Sequence, residues 1–453
     1  MKPKNILKYL MFAFLAVYVL GACTNSTEAE QIFDKTPAER LSEQKKELND
    51  ALLSSEFGWK AVYFTDDTQL GGFTHLFKFA ANGKVQMASD FDDDTAVYES
   101  EYDVVLGSTV SVVFTTLNRI HLLSDSNSFP TNALRGKGYL GDFQFLYYGQ
   151  ENGDLLFKSN RLVREVRFVK ATAQDWADLS KNLITEKNVI GEPGRPLFRS
   201  LEINDGTKIS KYGFSYAAAA RYANSTAIDG SGSVIGMGVG FAATGIVVSP
   251  AVTVAGQKLT TFVYNDTDGS FTATGTGGVS ATIKYNNAPL VLTDDYKLLL
   301  PGSGNNVYGY IYTITKTEAA NSPLFLTLLN NSEQAAGAML TRVQLWFNNA
   351  DGSNYIEYRF GDANGATIAR RYHYFTLTAD AANKTVKLTP GIWKSSTAAT
   401  SPAITAPSFL KELDDQFMNP QGLYFAKTPV LGYTAYTFTS TIAPFRMVAY
   451  SFQ

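Results

Sequence analysis

The sequence predicts a mainly β protein, with two antiparallel β-meander domains, a few short helices and an amphipathic helix that opens the first domain. Aromatic residues make up 13% of the 453 residues, including 25 Tyr and 30 Phe, and such side chains are enriched in strands. Alternating apolar and polar residues recur between turns rich in Gly and Asn, which is typical of hairpins. Because the chain exceeds the usual size of one hydrophobic core, we expect at least two domains.

The first 22 residues have the composition of a secretory signal. Three lysines precede an uncharged, largely apolar run at residues 9–20, which is too short to span a bilayer but suits a signal peptide. The small residues Gly21 and Ala22 then precede Cys23, the only cysteine of the chain. We therefore expect a signal peptide over residues 1–22.

The segment around Cys23 resembles the lipobox of bacterial lipoproteins, in which the cysteine carries acyl chains such as palmitate on its sulfur and amino group. An ordinary signal peptide with a coincidental cysteine is the alternative. Each buried acyl CH₂ contributes about 0.8 kcal/mol, so several chains would hold the protein at a lipid bilayer. Residues 23–33 are then a lipidated tether. Its acidic residues, Glu28 and Glu30, resemble a surface-export signal and favour outward display on the outer membrane.

The first domain is predicted over residues 34–189. Thr36, Pro37 and Glu39 form a capping box at the start of a helix over residues 34–53, whose leucines share one face. Period-two strands follow, with hairpin turns at Asn82-Gly83 and Asn152-Gly153. A short helix at residues 172–184 closes this unit.

A linker over residues 190–196 leads to a C-terminal β-rich domain over residues 197–453. Its clearest meander contains MLTRVQLWF (339–347), SNYIEYRFGD (353–362) and ARRYHYFTLTA (369–379). Turn residues at Ser249-Pro250 predict the end of a strand. Short helices are expected near residues 323–329 and 407–418, the latter with an apolar stripe.

Several segments between Phe33 and Lys170, among them FDKTPAERL, GWKAVYF, GGFTHLFKF and GYLGDFQFLYYG, resemble a family of uncharacterised Bacteroidetes outer-membrane lipoproteins with a domain of unknown function. Genes of this family tend to lie beside those for starch-utilisation-type transporters, their surface-lipoprotein partners and zinc peptidases. The resemblance implies a role in nutrient uptake at the outer membrane. The family has no known catalytic residues to transfer.

Candidate metal ligands are few. The chain has three histidines, at positions 75, 121 and 373, and catalytic zinc sites usually gather two or three close together. The run DFDDDT places Asp90, Asp92 and Asp94 in a pattern that suits Ca²⁺, which prefers many oxygen ligands, although a solvated loop explains the same run. Thr95 lies in a three-residue motif that resembles a Bacteroidetes O-glycosylation acceptor. No cofactor is expected.

The sequence does not nominate a catalytic residue. It has no GxSxG elbow and no HExxH motif, while a pair of carboxylates from distant strands would leave no local pattern. Aromatic side chains such as Tyr372, Tyr374 and the four tryptophans are able to stack on sugar rings. Trp59 and Trp346 are expected in the core, and Trp393, in the polar stretch PGIWKSS, is the expected exposed ligand-binding aromatic.

The most consistent hypothesis is a non-enzymatic binding or accessory subunit in the uptake of a glycan or peptide, with an outer-membrane transporter complex as a possible partner. A surface hydrolase that uses unidentified Asp or Glu residues, and an adhesive or structural surface module, are the alternatives. The net charge of −3 gives no reason to expect nucleic acid as a partner.

Overall fold

The protein is described here from a computed structural model, which covers residues 35–107, 109–191, 194–304, 306–430 and 433–452. The predicted fold class is confirmed, because the chain is mainly β, with antiparallel sheets and few short helices. Its strands form two closed eight-stranded barrels and a third, nine-stranded sheet. The predicted signal peptide and tether, with Cys23, lie outside the described residues.

The first barrel pairs its strands in chain order, and β8 returns to β1 through the pairs Trp59–Lys170 and Lys60–Val169. Its interior is filled by aromatic and aliphatic side chains. The strands are β1 (Trp59–Phe64), β2 (Gly72–Phe79), β3 (Lys84–Ser89), β4 (Tyr98–Leu106), β5 (Val110–Phe114), β6 (Gln144–Glu151), β7 (Asp154–Ser159) and β8 (Glu165–Lys170).

Helix α1 (Pro37–Leu53) packs on the first barrel and confirms the predicted capping box. The Thr36 N–H donates to the Glu39 carboxylate at 2.8 Å, and the Glu39 N–H donates to the Thr36 hydroxyl at 3.3 Å. Leu48 and Leu52 are fully buried in the barrel's core cluster. The helix is therefore held by its apolar face.

Two predicted hairpins of this barrel are also confirmed. Asn152 and Gly153 connect β6 to β7 with φ of 54° and 90°, as a two-residue type I′ turn requires. Gly83, with φ of 76°, ends the turn between β2 and β3. Local turn chemistry thus fixes the strand register at both places.

Two short helices lead to the second barrel. Helix α2 (Ala173–Asp178) and helix α3 (Lys181–Ile190) replace the single helix predicted at residues 172–184. The barrel closes where β9 pairs with β16. Its strands are β9 (Phe198–Asp205), β10 (Ile209–Ala217), β11 (Tyr222–Ala227), β12 (Val234–Ala242), β13 (Gly245–Val254), β14 (Gln257–Asn265), β15 (Ser270–Thr274) and β16 (Val279–Asn286).

The third sheet has the strand order β20-β19-β18-β17-β25-β24-β23-β21-β22, and β20 also pairs with β21, so the pairings of eight strands form a closed ring. The segment after residue 197 therefore contains two separate sheets. The strands are β17 (Asn306–Ile311), β18 (Met339–Phe347), β19 (Asn354–Gly361), β20 (Thr367–Asp380), β21 (Thr385–Lys394), β22 (Ala403–Ile404), β23 (Leu423–Val430), β24 (Tyr433–Ser440) and β25 (Arg446–Phe452).

Three helices accompany the third sheet: α4 (Tyr312–Thr315), α5 (Pro323–Ala336) and α6 (Lys411–Phe417). Buried residues of α5 and α6, including Phe325, Leu413 and Phe417, join the sheet's interior core. The apolar stripe predicted near residues 407–418 is thus confirmed. One face of each strand is committed to this core, which leaves the alternate side chains on the outside.

The first two barrels meet where β2 crosses β12. The Gly71 N–H donates to the Ala220 carbonyl at 2.8 Å. A Cβ atom on Gly71 would lie 2.3 Å from the Arg221 carbonyl oxygen, and one on Gly238 would lie 2.4 Å from the Leu70 carbonyl oxygen. Only residues without a side chain allow this approach of the two backbones.

Candidate functional site

The outer face of β18, β19 and β20 carries nine side chains in three cross-strand rows, here called the outer patch. The side chains of the intervening residues, such as Val343, Ile356 and Tyr358, lie in the core on the opposite face. Cross-strand pairing fixes the rows. They are an arginine row (Arg342, Arg359, Arg370), a polar row (Gln344, Glu357, Tyr372) and an aromatic row (Trp346, Tyr355, Tyr374).

The aromatic row is continuous across the three strands. The ring centroids of Trp346 and Tyr355 are 5.7 Å apart with an interplanar angle of 27°, and those of Tyr355 and Tyr374 are 5.3 Å apart. Trp346 and Tyr374, at the two ends, are partly exposed, whereas Tyr355 between them is 9% exposed. Burial raises the pKa of the Tyr355 phenol, so its hydroxyl stays protonated.

The polar row is organised around Glu357, which is only 2% exposed although it lies on the outer face. Its Oε1 atom accepts from Nε and Nη2 of Arg359 at 3.0 and 2.9 Å, and Nε of Arg370 lies 3.5 Å away. Arg359 Nη2 also donates to Gln344 Oε1 at 3.4 Å. These bonds hold the side chains of two rows in a fixed arrangement.

The arginine row brings three like charges onto adjacent strands. Partial burial, followed by the charge of Arg359, lowers the pKa of Arg342. The hydrogen bond with the Tyr372 hydroxyl raises the pKa of Arg370. The Arg342 guanidinium lies 5.5 Å from the centroid of the Phe452 ring. N–H donors of the arginine row and aromatic carbon are thus placed on one surface, above the buried Glu357, which is a combination suited to binding a polar ligand.

The junction of the barrels contains a competing cavity of about 260 Å³. Its polar groups, however, are already bound to protein. Lys60 Nζ donates to Asp175 at 2.5 Å, and the Thr74 hydroxyl and the Asn182 amide both donate to the Phe241 carbonyl at 2.9 Å. These contacts join the barrels and the linking helices, so we assign this cavity a structural role.

Asp90, a predicted calcium ligand, lies in that junction and is fully buried. Its carboxylate accepts from the Thr74 N–H at 2.8 Å, from the Asn182 amide at 2.8 Å and from Arg221 Nη1 at 3.0 Å. Its oxygens are thus occupied by donors from both barrels and from α3.

The other two predicted calcium ligands have different partners. Asp92 pairs with Arg119, and Asp94 accepts from the Tyr98 hydroxyl at 2.7 Å. Within the described ranges, no three His, Cys, Asp or Glu residues lie close enough to hold a metal ion. The geometry does not support a calcium site at these three aspartates. Thr95 is partly exposed in the same loop, and its glycosylation stays a prediction.

The three histidines lie apart. His75 is fully buried in the first barrel, and no described residue hydrogen-bonds either of its ring nitrogens. His121 Nδ1 contacts the side chain of Asn118. His373 Nδ1 lies 2.9 Å from Asp414. They therefore form no common site.

The predicted exposure of Trp393 is wrong. This residue lies one position before the end of strand β21, opposite His373, and only 7% of it is exposed. Its ring stacks on His373 at 4.4 Å and on Tyr358 at 5.8 Å between centroids. Because Asp414 accepts from the Tyr358 hydroxyl at 2.7 Å, the cluster fastens helix α6 to the sheet and leaves no free ring face for a sugar.

The alternation of the sequence could have indicated the outer patch. MLTRVQLWF, SNYIEYRFGD and ARRYHYFTLTA each place one set of alternate residues in the core, and the other set is unusually rich in Arg and aromatic residues. Trp346 was expected in the core, but it lies on the outer face. Aromatic residues on both faces of these strands conceal which face is buried.

Comparison with known families shows which protein family the chain belongs to. The model of the family described as "Domain of unknown function (DUF4302)" matches residues 29–266. The chain belongs to this family. The DUF4302 region covers α1, the first barrel and the second barrel as far as the turn after β14. The outer patch therefore lies beyond it.

No curated protein matches the chain. Among solved structures, the DNA polymerase sliding clamp from Bacillus subtilis is 10% identical, with 92% of this chain and 97% of that chain covered and a TM-score of 0.17. Intact Ap-TbpB (N and C lobes) is 11% identical, with 87% and 75% covered and a TM-score of 0.13. Scores this low do not indicate a common fold.

In the described part of this DUF4302 protein, every helix is too short or too polar to cross a membrane.

Proposed function

We propose that this chain is a non-enzymatic, lipid-anchored binding protein of the outer membrane, displayed at the cell surface, whose outer patch binds a saccharide during nutrient uptake. The observation that carries this proposal is the alignment of an aromatic row beside a polar row on one sheet face. The anchor rests on the lipobox-like sequence at Cys23.

A saccharide matches the exposed groups of the outer patch chemically. Its C–H faces pack against aromatic carbon, which Trp346 and Tyr374 offer at the ends of their row. Its hydroxyl groups accept hydrogen bonds from the arginine row, where the Arg370 side chain is 44% exposed. The polar row, whose three side chains are at most 5% exposed, supports this surface from beneath. Pre-ordered side chains lower the entropy cost of binding, and the bonds between Arg359, Glu357 and Gln344 provide that order.

The same contacts favour binding over hydrolysis. Glu357 accepts from Arg359 and lies beside Arg370, an arrangement that occupies its carboxylate as an acceptor. A His–Asp pair does occur among the described residues, at His373 and Asp414, but both side chains are buried in the interior of the sheet. A substrate on the surface would not reach them.

A saccharide panel tests the proposal on the full-length protein extracted in detergent. We expect at least one oligosaccharide to bind, and the double substitution Trp346→Ala with Tyr374→Ala to weaken that binding about tenfold or more, as truncation of aromatic anchors does. Tyr148→Ala is the matched control, because Tyr148 is 56% exposed on the first barrel. Unchanged binding in the double variant, or no binding of any saccharide, would contradict the proposal.

The anchor is tested separately by mass spectrometry of the mature N-terminal peptide. We expect cleavage before Cys23 and acyl chains on that residue. An unmodified thiol would contradict this part of the proposal and would leave the saccharide test unaffected.

A further inference from the structure

We propose that the saccharide is acidic: a sulfate or uronate carboxylate of the ligand lies against the arginine row while a neighbouring sugar unit packs on the aromatic row. This inference rests on the proposed saccharide binding and adds the charge class and minimum length of the ligand.

The outer patch has a net positive charge, which is the first argument for an acidic ligand. The three arginines of the patch are offset by Glu357, and Lys394 at the edge, 5.4 Å from the Tyr374 ring centroid, is offset by the nearby Asp351. Two positive charges therefore remain on this face, although the whole chain has a net charge of −3. A local excess of cations in an acidic chain favours an anionic ligand.

The guanidinium groups of the arginine row differ in their exposure, which is the second argument and indicates which arginine contacts the anion. The Arg359 side chain is 17% exposed and is committed to Glu357, while the Arg370 side chain is 44% exposed. Arg370 contacts Glu357 at 3.5 Å and the Tyr372 hydroxyl, and the rest of its five N–H donors are available to a ligand. A guanidinium binds carboxylate and sulfate oxygens through paired N–H groups. Arg370 is therefore the expected anion contact.

Repulsion within the row gives the anion an additional role. Arg342 and Arg370 both lie beside Arg359 on adjacent strands, and neighbouring like charges oppose each other. A ligand anion placed over the row would reduce this repulsion, whereas a neutral sugar would not. The row therefore discriminates by charge as well as by shape.

The spacing of the rows sets the length of the ligand. Residues of one strand that share a face are two apart, and each residue rises about 3.3 Å, so the arginine and aromatic rows are separated by about 13 Å. This distance exceeds one sugar ring, so a ligand that contacts both rows contains at least two linked units. An isolated acidic monosaccharide is expected to bind weakly.

Titration calorimetry with paired probes tests the inference on the full-length protein in detergent. The acidic probes are a galacturonic acid tetrasaccharide and a chondroitin sulfate tetrasaccharide, and the neutral counterparts are the methyl-esterified and desulfated forms. A tetraglutamate peptide is the non-saccharide anion. We expect at least one acidic probe to bind about tenfold or more tightly than its neutral form, with affinity that falls as salt rises.

Substitutions test which residue is responsible for the preference for acidic over neutral saccharides. Arg370→Gln should weaken binding of the acidic form about tenfold or more and that of the neutral form much less, whereas Trp346→Ala should weaken both to a similar extent. Arg167→Gln is the control, because Arg167 is a similarly exposed arginine of the first barrel that pairs with Glu151 and Asp154, and no change is expected there.

Each of the other outcomes contradicts the acidic ligand alone or both the acidic ligand and the saccharide site. Equal binding of acidic and neutral forms, or a charge preference that survives Arg370→Gln, overturns the acidic ligand and leaves the saccharide site intact. Binding of the tetraglutamate peptide in the absence of binding to any saccharide overturns both proposals. Both are also overturned if no probe binds and the saccharide panel gives no ligand.

Discussion

Arg221 shows how one side chain joins the two barrels. It is 3% exposed, bonds Asp90 at 3.0 Å, and lies 4.4 and 4.6 Å from the ring centroids of Phe73 and Phe241. Glu186 lies 3.3 Å from it, and burial raises the pKa of that glutamate. Loss of one partner of a buried ion pair typically costs 3–5 kcal/mol, so the junction depends on this arginine being present.

His75 makes the first barrel sensitive to acid. Burial, followed by the charges of Arg221 and Arg119, lowers its pKa from 6.5 to about 3. The folded protein therefore keeps the ring neutral between these values, while the unfolded chain binds a proton below about pH 6.5. Since the unfolded state takes up more protons, stability is lost as the pH falls from about 6.5 towards 3.

We predict that His75→Leu removes this loss. Each pH unit below 6.5 should lower the unfolding free energy of the wild type by about 1.4 kcal/mol, because the unfolded chain binds one more proton than the folded protein. Between pH 7 and pH 5, the unfolding free energy of the wild type should therefore fall about 2 kcal/mol more than that of the variant. Urea unfolding at both pH values, followed by tryptophan fluorescence, measures the difference. His121→Gln, at a half-buried histidine with a polar partner, should change the difference less. Equal pH dependence in His75→Leu and wild type would refute the explanation.

The crossing of β2 and β12 is the element on which the barrel pair depends. Because a Cβ atom on Gly238 would lie 2.4 Å from the Leu70 carbonyl oxygen, Gly238→Ala should destabilise the protein by about 1–3 kcal/mol. The matched control is Gly213→Ala in β10, where the nearest atom to the added Cβ would be 3.8 Å away. Thermal melts should show a lower midpoint for Gly238→Ala alone, and equal midpoints in both variants would argue against a steric role of the crossing.

The elements that could be predicted are those governed by local chemistry. The cap of α1 and the Asn152-Gly153 turn need only a few adjacent residues, and both were confirmed. The turn predicted at Ser249-Pro250 is wrong, because β13 continues from Gly245 to Val254 with an irregular register against β14. Ser249 pairs with Gly238 of β12, and Pro250 lies where the pairing with β14 is interrupted between Val247 and Val252, a position at which a strand tolerates proline.

The candidate site was harder to predict than the elements around it. The alternation of β18 to β20 reveals two faces, but Tyr358 in the core and Tyr355 on the outer face have the same residue type. Trp393 lies in a polar stretch of sequence, yet long-range pairing with β20 buries it. Burial that arises from distant strands leaves no local signal in the sequence.

At the scale of the whole molecule, the two barrels and the third sheet have different roles in this proposal. The DUF4302 region at residues 29–266 contains the barrel junction, whose charged and polar side chains are bound to one another. The outer patch lies at residues 342–374, beyond that region. We infer that the barrel pair is a scaffold next to the predicted anchor and that the third sheet binds the ligand.

Hydrogen–deuterium exchange of the full-length protein, with and without the most tightly bound saccharide of the panel, tests this division most directly. We predict slower exchange in residues 339–380 on ligand addition and unchanged exchange in residues 59–242. Protection centred on the barrel junction, or unchanged exchange throughout the chain, would contradict the assignment of the outer patch as the binding site.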